Sequence, residues 1–130
     1  MANQPKSSKA LDIALWTAQL LLAAGFIWAA SMKLFQPIDK LSAMWPWAGQ
    51  IPVFYVRGLG IIDLLGGLGI ILPSLLRTWP RLTSLTAIGI IVLMICAIVF
   101  HVSRGEASVI GVNFFFAFLA AFVAWGRWRS

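Results

Sequence analysis

Four apolar segments, each of about 20 residues, occupy most of this chain and constrain its fold more than any other feature. They run over residues 11–35, 52–72, 81–100 and 107–125. A helix of about 20 apolar residues crosses the ~30 Å hydrocarbon core of a bilayer, whereas barrel strands are about half as long and alternate in polarity. Only 11% of the residues are charged, against about 25% in a soluble domain. The sequence therefore predicts an all-α bundle of four transmembrane helices in a lipid bilayer.

The connections between these segments suggest one membrane domain over residues 11–127. Residues 1–10 are polar and are expected to form a disordered cytoplasmic N-terminus. Between the first two segments, Pro37 can open a short amphipathic helix lying in the membrane interface, either as an anchor or as a lid over a cavity. The apolar stripe of this helix consists of Ile38, Leu41, Met44 and Trp45.

The distribution of basic residues predicts the orientation. With the N-terminus in the cytoplasm, the cytoplasmic side holds Lys6, Lys9, Arg77, Arg81, Arg127 and Arg129. The outer side holds Lys33, Lys40, Arg57 and Arg104. Because cytoplasmic loops are enriched in Lys and Arg, we expect both termini in the cytoplasm of a bacterial-type inner membrane. These bases punctuate apolar segments instead of clustering on one soluble face, so the net charge of +6 does not indicate nucleic-acid binding.

The cysteine and histidine content limits the redox chemistry that this chain can perform alone. Cys96 is the one cysteine and His101 the one histidine. A dithiol mechanism within the chain and a haem held by two of its histidines are therefore excluded. No metal site is expected, and no motif for a covalently or tightly bound cofactor is recognisable.

Asp63 lies in the middle of the second apolar segment, where a carboxylate costs about 2.5–3.5 kcal/mol. At 100° per residue it shares one helix face with Gly60, Gly66 and Gly67. Such glycines allow a second helix to approach closely. We therefore expect Asp63 to face the interior of the bundle, either in a structural hydrogen bond or as part of a ligand or proton site.

Other polar residues fall in the outer half of the spans and could complete that site. The candidates beside Asp63 are Lys33, Arg57, His101, Glu106 and Asn113. Counting 1.5 Å per residue places Lys33 about 10 Å shallower than Asp63, whereas Asn113 matches its depth better. The alternatives are that Lys33 reaches inward, that Asn113 is the partner, or that Asp63 is protonated.

This pattern predicts a water-accessible cavity that opens to the outer face, with Asp63 at its floor. The inner halves of the spans look nearly free of polar groups, which argues against a pore. Gln19 is the exception there, and we expect it to hydrogen-bond to another helix.

Four short motifs occur in order along the chain. They are Ala29-Ala30-Ser31-Met32-Lys33-Leu34-Phe35, then Arg57, Gly60, Asp63 and Gly66 with Leu72-Pro73, then His101 with Gly105-Glu106, and finally Ala124–Arg127. On these motifs, the chain from Leu11 to Arg127 resembles the DoxX-like family of small four-helix membrane proteins. That family more often has Glu at the position of Asp63.

The resemblance implies a class of function. The family takes its name from a subunit of a membrane thiosulfate–quinone oxidoreductase, and other relatives look like accessory parts of redox complexes or like assembly chaperones. It implies an accessory subunit of a quinone-linked complex, not a self-sufficient enzyme, with quinone as the candidate ligand and a protein partner or a homo-oligomer in the membrane. The alternative is a non-catalytic interaction or assembly protein. Its docking surfaces would be the glycine face of the second span and Phe114, Phe115, Phe116 and Phe118.

Overall fold

The structure is a computed structural model that describes residues 5–106, 108 and 110–128. The α-helices of the described chain are α1 (Pro5–Phe35), α2 (Ile38–Met44), α3 (Val53–Leu75), α4 (Pro80–Ser103) and α5 (Gly111–Trp128). A 3-10 helix of Pro46–Gly49 lies between α2 and α3. Helices α1, α3, α4 and α5 are each long and apolar enough to cross a membrane, which confirms the predicted all-α bundle with four candidate spans.

The four long helices form a ring in the order α1, α3, α4, α5, because α1 and α4 each pack against both α3 and α5. Their shared core is apolar. It includes Leu22, Phe26, Ile70, Ala87, Ile90, Ala120 and Val123. Large apolar side chains also cover the outer surface of the ring, such as Leu20, Leu65, Val92 and Phe118. An apolar surface around an apolar core is the arrangement expected of a bundle immersed in lipid.

We name the two ends of the bundle after Lys33 and Arg127. The Lys33 end holds the last turn of α1, all of α2 and the first turn of α3. The Arg127 end holds the first part of α1, the α3–α4 connection and the last turn of α5. The short helix predicted after Pro37 is present as α2. Its Leu41 is buried against Ala48 and Val56, so the segment folds over the Lys33 end.

Several predicted boundaries were wrong by a few residues. Helix α1 begins at Pro5, so residues 5–10, predicted to be disordered, are helical, while residues 1–4 lie outside the described part. A helix that is already nucleated extends at little cost, and proline suits its first position. Helix α5 begins at Gly111 instead of at 107 and continues to Trp128. Apolar run length cannot locate such terminal turns.

Helices α3 and α4 are also longer than predicted. Helix α3 continues past Pro73 to Leu75, because a proline removes one helical hydrogen bond but does not have to end a helix packed among others. Helix α4 runs to Ser103 and so includes His101, one residue beyond the predicted end of the third apolar segment. The connection between α3 and α4 is correspondingly tight, and Arg77 and Trp79 adopt positive φ values of 54° and 45° there.

Candidate functional site

Close packing of α1 against α3 determines the position of Lys33 along α3. A Cβ added at Gly60 would lie 3.0 Å from Cβ of Lys33, and one added at Gly67 would lie 2.7 Å from Cγ1 of Ile27. The two antiparallel backbones can approach this closely because neither glycine carries a side chain. Lys33 is therefore level with Gly60, about one helical turn along α3 from Asp63. Gly66 has a different neighbour, the ring of Phe26, 3.4 Å from the position of its absent Cβ.

Lys33 and Asp63 form an ion pair inside the bundle. Nζ of Lys33 donates a hydrogen bond of 2.6 Å to Oδ2 of Asp63, which is 4% exposed. The expected depth difference of about 10 Å was too large, because the glycine contact reduces it to about three residues, or 4.5 Å. Asn113 as the partner of Asp63 was wrong, since its amide donates to Sδ of Met94 at 3.7 Å.

Two tryptophans of the segment after α2 enclose the ammonium group. Nζ of Lys33 lies 5.5 Å from the ring centroid of Trp45 and 5.7 Å from that of Trp47. The two rings stack with an interplanar angle of 17° and centroids 6.1 Å apart. At these distances a cation is attracted by the faces of both rings. The segment therefore covers the ion pair and contributes to its electrostatic environment.

Arg57 connects the end of α1 to the start of α3 by hydrogen bonds. Its Nη1 donates to the main-chain carbonyl oxygens of Lys33 at 2.7 Å and Gln36 at 2.9 Å. The last carbonyls of a helix lack partners within the helix, and a cation there also interacts favourably with the helix dipole. Arg57 does not pair with Asp63, since its guanidinium donates to these two carbonyls. It acts on the site by fixing the backbone that carries Lys33.

His101 and Glu106 form a second cluster at the rim of the Lys33 end. Nδ1 of His101 lies 2.8 Å from Oε1 of Glu106, and Arg104 donates to both carboxylate oxygens at 3.1 Å. Arg104 also donates to the side chain of Gln50 in the segment after α2. The hydrogen bonds from Arg104 and then from His101 lower the pKa of Glu106 below its ordinary value of 4.5.

Apart from Asn113, the candidate residues thus divide between two neighbouring clusters instead of one. The clusters meet through aromatic rings, because Trp47 packs edge-on against Phe100 with centroids 6.1 Å apart. The side chains of Lys33 and Asp63 are only 15% and 5% exposed. Asp63 therefore does not form the floor of an open cavity, contrary to the prediction. Of the two side chains, that of Lys33 is the more exposed.

An apolar groove runs beside the ion pair, starting at the level of Asp63. It has a volume of about 260 Å³ and lies between α3 and α4. Its walls are Phe26, Ile62, Leu65, Gly66, Thr86, Gly89, Ile90 and Leu93. Ile62 directly precedes Asp63 on α3, so the groove starts next to the charged site but is lined by neither Lys33 nor Asp63.

The prediction that the inner halves are nearly free of polar groups was wrong. At the Arg127 end, Arg127 is 8% exposed and its Nε donates to Oε1 of Gln19 at 2.7 Å, while its Nη1 donates to Asp12 at 2.7 Å. Gln19 in turn donates to the carbonyl of Ile70 at 2.8 Å and to Oγ of Ser74 at 3.0 Å. The expected bond from Gln19 to another helix is confirmed, and it links α1, α3 and α5.

Sequence reasoning missed this network because an arginine near a helix end resembles an interfacial residue. The antiparallel register of α1 and α3 in the folded bundle brings Gln19 to the level of Ser74. Ser74 lies 3.5 Å from Oγ1 of Thr83, so α4 is joined as well. Within residues 5–106, 108 and 110–128, no group of three or more His, Cys, Asp or Glu side chains is placed to hold a metal ion.

The comparisons with known proteins agree with the resemblance seen in the motifs. A model of the DoxX-like family matches residues 17–123. No curated protein and no solved structure matched the chain. The matched stretch contains Lys33, Asp63, His101 and Glu106, whereas Asp12 and Arg127 fall outside it. Since the match covers most of the sequence, the chain belongs to the DoxX-like family.

Proposed function

We propose that this protein is a membrane-embedded accessory subunit of a quinone-linked oxidoreductase and that Lys33 and Asp63 receive the quinone headgroup. The observation that carries the proposal is the buried ion pair between them, with its 2.6 Å hydrogen bond. Apolar residues often replace a buried ion pair without loss of stability, so stability alone does not explain charges at this depth. An ionisable group within a membrane span is rare, and a functional site is the default hypothesis for it.

The donors and walls at the ion pair fit the chemistry of a quinone headgroup, which is a flat ring bearing carbonyl oxygens. The Lys33 ammonium has three donors, of which Asp63 accepts one. The remaining donors can hydrogen-bond to a carbonyl oxygen. The stacked rings of Trp45 and Trp47 supply flat surfaces beside the ammonium.

A bound quinone would supply two-electron, two-proton chemistry at this site. In the proposal, the Lys33 ammonium orients the headgroup by donating a hydrogen bond to a carbonyl oxygen, while the Asp63 carboxylate accepts a hydrogen bond from the same ammonium and holds it in place. Arg57 keeps the Lys33 backbone fixed through its carbonyl. Because the chain has one cysteine and one histidine, we assign electron delivery to a protein partner, which makes this chain an accessory subunit.

The proposal includes a location. A bacterial-type inner membrane with both termini in the cytoplasm is supported by the excess of Lys and Arg at the Arg127 end. The Lys33–Asp63 site would then lie in the outer half of the bilayer. A protein partner or a second copy of the chain would share the membrane with it.

The test is to purify the protein from native membranes, extract the bound lipids and quantify quinone per protein. We expect quinone to co-purify with the wild type and to fall at least tenfold in Lys33→Met and Asp63→Asn. Lys40→Met is the matched control, because Lys40 is an exposed lysine at the same end that makes no ion pair among the described residues. Equal quinone content in all four proteins, or none in any of them, would overturn the proposal.

A charge-swapped protein separates function from folding. The double variant Lys33→Asp with Asp63→Lys keeps an ion pair between the same helices. If the pair serves only to join α1 to α3, this variant retains every property of the wild type. We expect it to fold but to lose quinone, because the ammonium then lies one turn deeper and away from Trp45 and Trp47.

The alternative is a non-catalytic interaction or assembly protein, and one observation favours it. Phe114, Phe115 and Phe118 are exposed on α5, with Phe118 at 80% exposure. The glycine face of α3 is not available for docking, contrary to expectation, because α1 covers Gly60 and Gly67. A stoichiometric partner that is lost in Phe118→Ala but kept in Asp63→Asn would support the alternative over the quinone site.

A further inference from the structure

A second groove lies between α4 and α5 near the Arg127 end. Its volume is about 430 Å³, and its walls are Ile88, Ala124, Trp125 and Trp128. These walls are apolar apart from the indole N–H groups. The groove lies on the outer surface of the bundle, since Ile88, Trp125 and Trp128 are each about half exposed. Such a groove accepts an alkyl chain lying along the helices.

An arginine stands at the mouth of this groove. Arg81 precedes Ile88 by seven residues, so two helical turns place both side chains on the same face of α4, about 10 Å apart along the axis. The guanidinium of Arg81 lies over the ring of Trp128, 4.9 Å from its centroid. The same tryptophan therefore contacts the cation and forms a wall of the groove.

Arg81 has no acidic partner in the part of the chain that the structure describes. The ion pairs found there involve Asp63, Glu106 and Asp12, which pair with other bases. Arg81 is exposed and retains free guanidinium donors. An exposed cation without a counter-charge, held by an interfacial tryptophan above an alkyl-sized groove, complements a molecule with an anionic head and an apolar chain.

We propose that an anionic phospholipid binds this groove, with its phosphate on Arg81 and one acyl chain between Ile88 and Trp125. Basic pockets between membrane helices recognise anionic headgroups in this way, and tryptophans are enriched at the same depth. The 10 Å between Arg81 and Ile88 runs along the helix axis, which is the direction of an acyl chain in a bilayer. This site is separate from the proposed quinone site and does not depend on it.

The experiment measures retained lipid by native mass spectrometry. The full chain is reconstituted in nanodiscs of equal parts phosphatidylglycerol and phosphatidylcholine and then released into detergent. We expect the wild type to retain phosphatidylglycerol preferentially and Arg81→Gln to lose that preference by about fivefold, the effect of one cation near the membrane surface. Arg77→Gln is the matched control, because Arg77 is an exposed arginine at the same end that does not line the groove.

A second pair of variants tests the groove itself with Arg81 intact. Ala124→Phe fills the groove and should release the lipid, whereas Ala121→Phe adds the same ring at an exposed position outside it. Arg81→Lys keeps the charge and should keep the preference for phosphatidylglycerol. Equal loss in Arg81→Gln and Arg77→Gln would reduce the effect to general surface charge and overturn the proposal. Retention of the lipid by Ala124→Phe would overturn it as well.

Discussion

Gly60 faces Lys33 so closely that a Cβ at position 60 would lie 3.0 Å from Cβ of Lys33 and 2.9 Å from Cγ of Leu34. We therefore expect Gly60→Ala to push α1 away from α3 and to lower the free energy of unfolding by about 1–3 kcal/mol, as overpacking does. The measurement is thermal or denaturant unfolding in detergent, monitored by helical circular dichroism.

Gly58 provides the control for that substitution. It lies on the same helix two residues earlier, and nothing lies within 4 Å of the position its Cβ would occupy. Gly58→Ala should be neutral or should stabilise the protein by up to about 1 kcal/mol, because alanine favours a helix over glycine. Equal destabilisation by both substitutions would contradict the close contact between α1 and α3.

For the Lys33–Asp63 pair, we expect replacement of both residues to lower the free energy of unfolding less than replacement of Asp63 alone. Asp63→Leu leaves the Lys33 ammonium without its partner and should lower the free energy of unfolding by about 3 kcal/mol. The double variant with Lys33→Met removes both charges, and we expect most of that loss to be recovered. A double-mutant cycle measures the coupling free energy, and losses that simply add would show that the two side chains do not interact.

Gln19 links Arg127 to α3, and we expect its replacement by an apolar residue to lower the free energy of unfolding. Gln19→Leu takes away the acceptor of Nε of Arg127, a hydrogen bond of a charged donor worth about 1.5–3 kcal/mol. Thr17→Val is the control, because Thr17 is exposed and its hydroxyl bonds only to the carbonyl of Ile13 in its own helix. Unfolding curves of the two variants should differ clearly, and coinciding curves would argue against a structural role for the network.

The lengths of the apolar segments were enough to predict most of the fold. Predicting the contacts of the site also requires the register of α1 against α3, which segment lengths do not determine. A depth derived from the start of an apolar run assumes that the helix begins at the membrane boundary. Helix α1 has 31 residues, more than a span requires, so its depth cannot be derived from its length. Its register on α3 is set by contacts such as Ile27 against Gly67. That is why the face of Asp63 was predicted correctly while the ranking of its partners was wrong.

Arg127 illustrates a second kind of failure. An arginine in the last turn of a helix is favourable at the membrane surface, so the position of Arg127 along the chain does not by itself indicate burial. Its burial follows from packing, because Gly126 lies directly against the side chain of Leu15 and brings the end of α5 onto α1. The combination of a buried Gln19 with an acidic Asp12 could have indicated a partner for Arg127. Pairwise contacts of this kind require the assembled bundle.

The rim cluster predicts a dependence of stability on pH. Because Arg104 and His101 lower the pKa of Glu106 in the folded state, its contribution is fully present above the ordinary value of 4.5. It is lost as the pH falls through the lower folded pKa. The unfolding temperature of the wild type should therefore decrease below about pH 4.5. The unfolding temperature of Glu106→Gln should decrease less over the same range. If the unfolding temperatures of the two proteins decreased in parallel with pH, Glu106 would not contribute to stability through this cluster.

The orientation in the membrane can be tested at two exposed positions on opposite ends of the bundle. In a Cys96→Ala background, Ala43→Cys places a thiol on α2 at the Lys33 end, and Thr78→Cys places one in the α3–α4 connection at the Arg127 end. The bias of Lys and Arg predicts that a membrane-impermeant maleimide labels position 43 in intact spheroplasts. Position 78 should be labelled only after permeabilisation. The reverse pattern would place the Arg127 end outside the cytoplasm and move the Lys33–Asp63 site to the cytoplasmic half of the bilayer.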